Sequence, residues 1–558
     1  MREVIKKSEA LFCLSLATLA ILFFWVPTGA AYVLFDDSGT YIQFLQLKNV
    51  EGVMPLYPLF LFVNKIIWGQ GLYLQMVVVE QTLIAVICII YFVMKIKRRF
   101  ALCYKEGYLI FLFSLIPFTT DYPMSMVTQG ILTEGLSYAL FYIVMALLLD
   151  SVWDRSFGRL AGALGVTVIL ALLRSQLQIL FAVCGAAAAF IVCAGFGSSR
   201  KRFLPLKLLS GIILWTAIMG VGVVGVVKIN GFSHKVMFGE GVVAKFITQN
   251  AVDMQPVTEE EKVPADGTAD VAAQEPEVQS TGTVQEEEPT QEDRPALNTA
   301  PEVLEFLSAG YEESGVSVSQ YSSTIFSKAM YEADYEDYLL FEDEEVQKQF
   351  LRAYEIVDEM KCRYPYAESG LRGWRHISDS AGKIGKSCFH GLNAYFAEYY
   401  NTTIVYFQYR CTAEAFSKIG MKVLMKHFGR FLWHTVRLMV PAFIFTVFFQ
   451  KEQFYLLCHL ITLFLYTTAI GLTIWCSLSK KSNRRCAEFM LAVLVNNVIM
   501  VTAVSLVFTG LQRYMVYAFG IFYTAYYLLL KEVYHCCLVE KGWMHLRRKK
   551  SGGNRNAF

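Results

Sequence analysis

Acidic side chains stand directly beside an apolar run near the start of the chain. Asp36 and Asp37 are adjacent in the stretch FDDSGTYIQF, which follows a long apolar segment. Two neighbouring carboxylates at the edge of a membrane segment are costly unless they are solvated or paired. A carboxylate in this position can take the proton of an acceptor hydroxyl or orient a metal ion that carries a phosphate. A polar stop that marks the membrane edge explains the pair equally well.

Three further charges lie at the ends of apolar runs. They are Glu134 in TQGILTEGLSYALF, Arg174 in LALLRSQLQIL and Arg513 in FTGLQRYMVY. A charge within a membrane segment is a candidate for function, although an arginine near the end of a span can also extend to the interface. Two arginines are suited to hold a phosphate or diphosphate through paired hydrogen bonds. Together with the acidic pair, these charges predict a site at one membrane face.

A proline-containing stretch, GVMPLYPLFLF, occupies positions 52–62. Prolines interrupt helices, so Pro55 and Pro58 predict a short rigid loop that lies flat on the membrane. Taken alone, this stretch is better explained as a brace between two spans than as part of a site.

The composition of the whole chain is that of a membrane protein. Of 558 residues, 55% are hydrophobic and 18% are charged, whereas soluble domains carry roughly 25% charged residues. Apolar runs of about 20 residues, the length that crosses a bilayer, recur along the chain. The net charge of +2 gives no basic footprint for nucleic acid, so no nucleic-acid partner is expected. The 13 cysteines show no zinc-binding spacing.

Residues 1–228 predict an N-terminal membrane domain. The basic connections between its apolar runs fall on one side, and the positive-inside rule places that side and the N-terminus in the cytoplasm. A cleaved signal peptide is the less favoured interpretation of the first run. The predicted spans are residues 11–34, 71–94, 108–120, 130–149, 159–174, 177–197 and 206–228.

Residues 229–430 break the apolar pattern and predict a large extracytoplasmic region. Between residues 253 and 302 there are 14 acidic residues, two basic ones and no Phe, Tyr or Trp. Such a segment buries too little apolar surface to offset the entropy of ordering, so we predict a disordered acidic insert. Aromatic residues return after Val303, and their spacing predicts a small α-rich folded part.

Residues 431–535 predict the C-terminal membrane helices, followed by a basic cytoplasmic tail at 536–558. The apolar runs are 432–449, 454–477, 487–509 and 514–530. The basic clusters near residues 480–485 and 546–550 both reach the cytoplasm only if 432–449 is interfacial or re-entrant. We therefore expect an all-α polytopic membrane protein with about ten transmembrane helices plus an interfacial helix. The alternative is that all four apolar runs cross the membrane.

The order of these motifs resembles the GT-C superfamily of polytopic membrane glycosyltransferases. The resemblance is closest to its bacterial protein mannosyltransferase and aminoarabinose transferase members. It covers the N-terminal 230 residues well and the last fifty weakly, and nothing in the hydrophilic region matches. The motifs that carry it are DDSxxY after the first span, LYPLFL in the next loop, TEGL and LLRSQ at two later spans, and QRY before the last span.

The resemblance implies a polyprenyl-phosphate-linked sugar donor and an envelope glycan, lipid or protein as acceptor. It places the active site at the outer face, in contact with membrane lipid. The family has Asp-Glu or a single Asp in its first loop, so which of Asp36 and Asp37 is the catalytic base stays open. Metal use varies within the superfamily, and no ligand set in this sequence indicates a divalent metal or another cofactor. The residues expected to bind substrate are Tyr41, Tyr57, Pro58, Glu134, Arg174, Arg513 and Tyr514.

Other functions stay open at this point. One is a transporter or flippase of lipid-linked sugars, another is an envelope polysaccharide polymerase or ligase, and a third is a scaffold without catalysis. Transporters built from repeats show matching broken helices in two halves, and this sequence shows no such symmetry. In every case we expect a multi-pass cell-membrane protein with both termini cytoplasmic and the large loop outside.

Overall fold

The computed structural model describes residues 2–26, 29, 31–43, 54–119, 127–195, 204–238, 298, 300–308, 320–363, 371–448, 455–479, 482–507 and 512–552. This part of the chain is helical almost throughout and contains no β-strand. One isolated parallel β-bridge joins Val33 to Gly130. The prediction of an all-α protein is therefore confirmed for the described residues. The predicted acidic insert lies outside them, apart from its last positions.

Helices in the first part of the chain alternate with short connections, some of which contain a 3₁₀ turn. The helices are α1 (Arg2–Trp25), α2 (Asp36–Gln43), α3 (Leu56–Trp68), α4 (Tyr73–Arg99), α5 (Tyr104–Leu115), α6 (Glu134–Asp154), α7 (Phe157–Leu173), α8 (Leu180–Gly195) and α9 (Leu204–Phe238). The 3₁₀ turns span Ile116–Thr119, Val127–Gln129 and Ser175–Ile179.

The second part of the chain begins with more polar helices and ends with apolar ones. The helices are α10 (Pro301–Ser308), α11 (Gln320–Tyr331), α12 (Glu344–Arg363), α13 (Leu371–Tyr399), α14 (Val405–Lys426), α15 (Phe428–Ile444), α16 (Tyr455–Leu478), α17 (Arg484–Val507), α18 (Gln512–Met515) and α19 (Phe519–Gly552). The 3₁₀ turns here are Tyr335–Leu340 and Val516–Ala518.

Seven of the described helical segments are long and apolar enough to cross a membrane. Each of them overlaps a predicted span, so a multi-pass membrane protein is the fold that these helices indicate. The other predicted spans, 108–120, 159–174 and 514–530, fall on α5, α7 and α19, which do not meet the same length and hydropathy requirement. The seven segments are Lys7–Trp25, Tyr73–Arg99, Glu134–Asp154, Ser175–Ala194, Leu209–Ser233, Leu456–Leu478 and Arg484–Leu506.

The first apolar run is helical over only part of its predicted length. Helix α1 ends at Trp25, so the prediction of a span that continues to residue 34 is wrong. Pro27 and Gly29 follow in the sequence, and Gly29 has a positive φ of 70°. A proline disfavours helix at the preceding residue, and glycine takes the left-handed conformation at no steric cost.

From Leu56 onward the proline-containing stretch is a helix and not the predicted loop. Pro55 is the N-cap of α3, and Pro58 lies in its first turn. The first N–H groups of a helix have no intrahelical partner, so prolines in this turn cost no hydrogen bond. The side chains of Tyr57 and Pro58 are buried on α3.

The two largest hydrophobic cores organise the described chain. The larger one joins α1–α8, α16, α17 and α19. The smaller one is formed by α11–α14 with Leu438 of α15, and we call these four helices the α11–α14 bundle. Its centre is aromatic, because the rings of Phe326 and Phe416 stack at 4.2 Å between centroids.

Candidate functional site

Two segments that are far apart in the sequence meet beside the acidic helix α2. The Val33 N–H donates to the Gln129 carbonyl at 2.9 Å, and the Ile131 N–H donates to the Val33 carbonyl at 3.1 Å. The buried Ser38 hydroxyl donates to the Ile131 carbonyl at 3.0 Å and accepts the Phe35 N–H at 2.9 Å. These bonds fix the start of α2 next to the start of α6.

Helix α2 places an acidic and an aromatic side chain on one face. Asp37 lies in its first turn, where the partial positive charge of the helix N-terminus favours a carboxylate. Tyr41 follows four residues later and therefore points to the same side. The Tyr41 ring packs edge-on against Tyr57 of α3, with 5.2 Å between centroids. The side chain of Asp36 lies outside the described part of the chain.

A buried amide on α4 connects α3 to the segment that precedes α6. The Tyr57 hydroxyl donates to Gln81 Oε1 at 3.2 Å. Gln81 Nε2 donates to the carbonyls of Thr128 and Gly130, each at 3.2 Å. Sequence reasoning missed Gln81, although an amide side chain within a long apolar span is itself a signal.

A buried ion pair forms the centre of the candidate site. Glu134 is the first residue of α6 and Arg174 directly follows the last residue of α7, so each charge lies at the helix end that favours it. The guanidinium and the carboxylate are in contact, with side-chain exposures of 9% and 5%. Thr133 Oγ1 donates to Glu134 at 3.1 Å, and Arg174 Nε donates to Gln176 at 3.1 Å.

Aromatic residues from the end of the chain cover this ion pair. The Tyr514 ring lies 4.9 Å from the Arg174 guanidinium carbon, a distance at which a cation is attracted to an aromatic face. Tyr517 shares a hydrogen bond of 2.9 Å with Ser137, and its ring meets Tyr138 at 4.6 Å. The sequence analysis singled out Tyr514 and missed Tyr517. Tyr517 follows about one helical turn later, and this spacing could have placed both tyrosines on the same side.

The hydroxyl of Tyr41 is influenced both by the ion pair and by the acidic helix. Burial raises the pKa of Tyr41 well above its usual range, and the carboxylates of Glu134 and Asp37 raise it further. Arg174 and a hydrogen bond with Thr133 act in the opposite direction. Tyr41 therefore stays protonated and remains a hydrogen-bond donor at neutral pH.

The structure thus brings together five of the residues that the sequence singled out. They are Tyr41, Tyr57, Glu134, Arg174 and Tyr514. Asp37 lies close enough to Tyr41 to raise the pKa of its hydroxyl. Pro58 is buried next to Tyr57 on α3. Arg513 belongs to α18 beside Tyr514, but its side chain lies outside the described part.

Among the described residues, one group has ligand atoms close enough together for a metal ion. Asp334, Asp337 and His427 place theirs within 4.8 Å of one another. The Lys426 ammonium already pairs with Asp337, and Arg430 pairs with Asp334 at 3.0 Å. These cations supply the charge that a metal would bring, so the group is explained as an ion-pair network of the α11–α14 bundle.

The candidate site offers a guanidinium, two carboxylates and several phenol groups in a largely dry setting. Arginine and tyrosine donors suit phosphate oxygens, and a partly exposed carboxylate suits proton transfer from a hydroxyl. Comparisons with protein families, with curated proteins and with solved structures find no match to this chain.

Proposed function

We propose that the protein is a membrane glycosyltransferase that transfers a sugar from a polyprenyl-phosphate-linked donor to a cell-envelope acceptor. The acceptor is a glycan, lipid or protein at the outer face of the membrane. The observation that carries this proposal is the meeting of Arg174, Glu134 and Tyr514 with Tyr41 of the acidic helix α2. This meeting brings Arg174, the proposed phosphate-binding group, close to α2, which carries the proposed proton acceptor Asp37.

Arg174 is the group that holds the donor phosphate in this proposal. A guanidinium has five N–H donors, and Glu134 and Gln176 occupy only part of them. The donor carries a phosphodiester with one negative charge, whereas the departing polyprenyl phosphate gains a second charge. A fixed cation in a dry site attracts the departing group more strongly than the bound donor, which lowers the barrier to transfer.

Asp37, with Asp36 beside it, is the proton acceptor in this proposal. The bond between the anomeric carbon and the phosphate oxygen breaks, and the acceptor oxygen forms a new bond to that carbon. The acceptor hydroxyl loses its proton to the carboxylate, and polyprenyl phosphate leaves. Tyr41 donates a hydrogen bond that orients the substrate, while Tyr57 and Pro58 form the wall of the acceptor pocket.

The proposed membrane arrangement adds α5, α7 and α19 to the seven long apolar helices, which gives about ten spans. Helix α15 lies along the membrane surface, because one face exposes Leu432, Trp433 and Val436 while the opposite face buries His434 and Leu438. An amphipathic helix of this kind settles at the interface. Both termini lie in the cytoplasm, and the α11–α14 bundle lies outside.

The test is a transfer assay with the purified full-length protein, radiolabelled polyprenyl-phosphate sugars and membrane extract. A labelled product that is formed by the wild type and not by Asp37→Asn supports the proposal. Movement of the labelled lipid across vesicles without a new glycosidic bond indicates a transporter instead. Product formed only from lipid-diphosphate-linked repeat units indicates a polysaccharide polymerase or ligase.

A further inference from the structure

A lysine of the α11–α14 bundle is buried at the end of a membrane helix. Lys328 on α11 is 1% exposed. Its ammonium donates to the carbonyl of Ser505 at 2.6 Å and to that of Leu506 at 3.3 Å. Both carbonyls belong to the last turn of α17, where helix carbonyls lack intrahelical partners and a positive charge is favoured.

This contact is an expensive way to attach two helices. Burial lowers the pKa of Lys328 to about 7, because the charged form loses its hydration. His434 of α15 lies close to Lys328 and forms a hydrogen bond with Glu332 at 2.8 Å. An apolar side chain of the same length would attach the helices without this cost. The amine instead fixes the position of α11 relative to the last turn of α17, because it must reach the carbonyls of Ser505 and Leu506.

The end of α17 that Lys328 holds is also part of the candidate site. Val501 and Val504 of α17 pack with Tyr514 and Ala442 in one small hydrophobic cluster. Tyr514 in turn covers the guanidinium of Arg174. A contiguous set of packed groups therefore leads from the α11–α14 bundle to the ion pair.

We propose that Lys328 is a positioning residue, through which the α11–α14 bundle sets the place of Tyr514 over Arg174 and so the affinity for the donor phosphate. This inference rests on the proposed function, since the affinity concerned is that for the polyprenyl-phosphate donor. It gives the α11–α14 bundle a role in the site without requiring it to touch the substrate.

The first test compares Lys328→Met with Lys422→Met in the full-length protein. Methionine matches the length of lysine and removes the donors. Lys422 belongs to the same bundle, where it donates to the Leu340 carbonyl at 3.3 Å and lies over the Phe341 ring. We expect Lys328→Met to raise the KM for the donor roughly tenfold with kcat within about twofold, a typical size for coupling through packed groups. Lys422→Met should change neither constant.

If Lys328 only stabilises the fold, Lys328→Met lowers the melting temperature and leaves the donor KM of the folded fraction unchanged. That result would overturn the inference. If Lys328→Met does not yield folded protein, Val504→Ala tests the same connection with a smaller perturbation. An unchanged donor KM in Val504→Ala would then overturn it as well.

A second measurement separates this inference from the proposed function. Hydrogen exchange of the amides in residues 498–507 and 512–518 should become faster in Lys328→Met than in the wild type and in Lys422→Met. This result is expected whether or not the protein transfers sugar. Absence of any transfer by the wild type removes the proposed function, whereas unaltered exchange in Lys328→Met removes the anchoring role.

Discussion

Glu134 and Arg174 join the two helices that carry the candidate site. The carboxylate opens α6, the guanidinium follows the end of α7, and the two side chains pair with almost no exposure to solvent. A buried pair of this kind adds little to stability compared with apolar residues, but breaking it leaves an uncompensated charge. The structural and functional contributions of the pair are therefore separable by substitution.

Arg174→Gln is expected to destabilise the protein by about 3–5 kcal/mol, because the buried Glu134 carboxylate then loses the positive charge of Arg174. The double variant Glu134→Gln with Arg174→Gln removes both charges and should recover most of that loss. Donor binding should be lost in both, since both lack the guanidinium. Thermal unfolding in detergent and binding of a labelled polyprenyl-phosphate sugar measure the two effects. Wild-type donor affinity in the double variant would contradict the phosphate-binding role of Arg174.

Asp37→Asn is expected to reduce turnover by roughly 10²–10⁴, the contribution of a general base, while the protein folds and still binds donor. Asparagine keeps the size and polarity of the side chain and loses its basicity. Transfer of labelled sugar at matched expression is the measurement. Asp36→Asn serves as the comparison, and the more damaging of the two changes identifies the base. Full activity in both variants would show that the acidic pair is not catalytic.

The positive-inside pattern predicts which basic residues face the cytoplasm. Labelling with a membrane-impermeant thiol reagent should modify Glu302→Cys from outside and leave Arg484→Cys unmodified in intact cells. The native Cys362 and Cys411, which belong to the region expected outside, are replaced by serine in both variants to lower the background. The reverse labelling pattern would overturn the map. The residues expected in the cytoplasm are Arg98, Arg155, Lys201, Arg484 and Arg548.

Asp337→Asn should destabilise the α11–α14 bundle by roughly 2–3 kcal/mol at neutral pH, because Lys426 and His427 then lose their buried carboxylate partner. Burial raises the pKa of Asp337, but Lys426, the Asp334 N–H and His427 together lower it below its usual value.

The stability that Asp337 provides is therefore present above the pKa of an unfolded aspartate, about 4, and is lost as the pH falls through the lower folded value. Melting temperatures of wild type and Asp337→Asn should converge as the pH is lowered. Asp334→Asn is the control, because its ion pair with Arg430 is exposed and worth under about 1 kcal/mol. A constant difference between wild type and Asp337→Asn at every pH would argue against this account.

The apolar runs sufficed to predict the seven long apolar helices. The sequence also singled out several residues that the structure brings together. Glu134 and Arg174 were visible because charges are rare at such positions, and their helix ends follow from where the apolar runs stop. The end of α1 and the helix that begins at Leu56 were mispredicted. Local turn and capping geometry determines where α1 ends and where α3 begins. A hydropathy pattern carries no information about that geometry.

Contacts between distant segments could not be predicted from one sequence. The bridge from Val33 to Gly130 and the three hydrogen bonds of Gln81 depend on how the helices pack, and no local spacing encodes them. The burial of Lys328 could not be predicted either. Lysines are seldom fully buried, so its sequence position gives no sign of the contact with α17.

The cover of Tyr514 over Arg174 has a consequence for how the protein is made. More than three hundred residues separate the two positions, and the N-terminal helices have entered the membrane long before the ribosome reaches the second of them. Arg174 and Glu134, which form the ion pair, are therefore both synthesised long before Tyr514. The candidate site is complete only after α18 has been made.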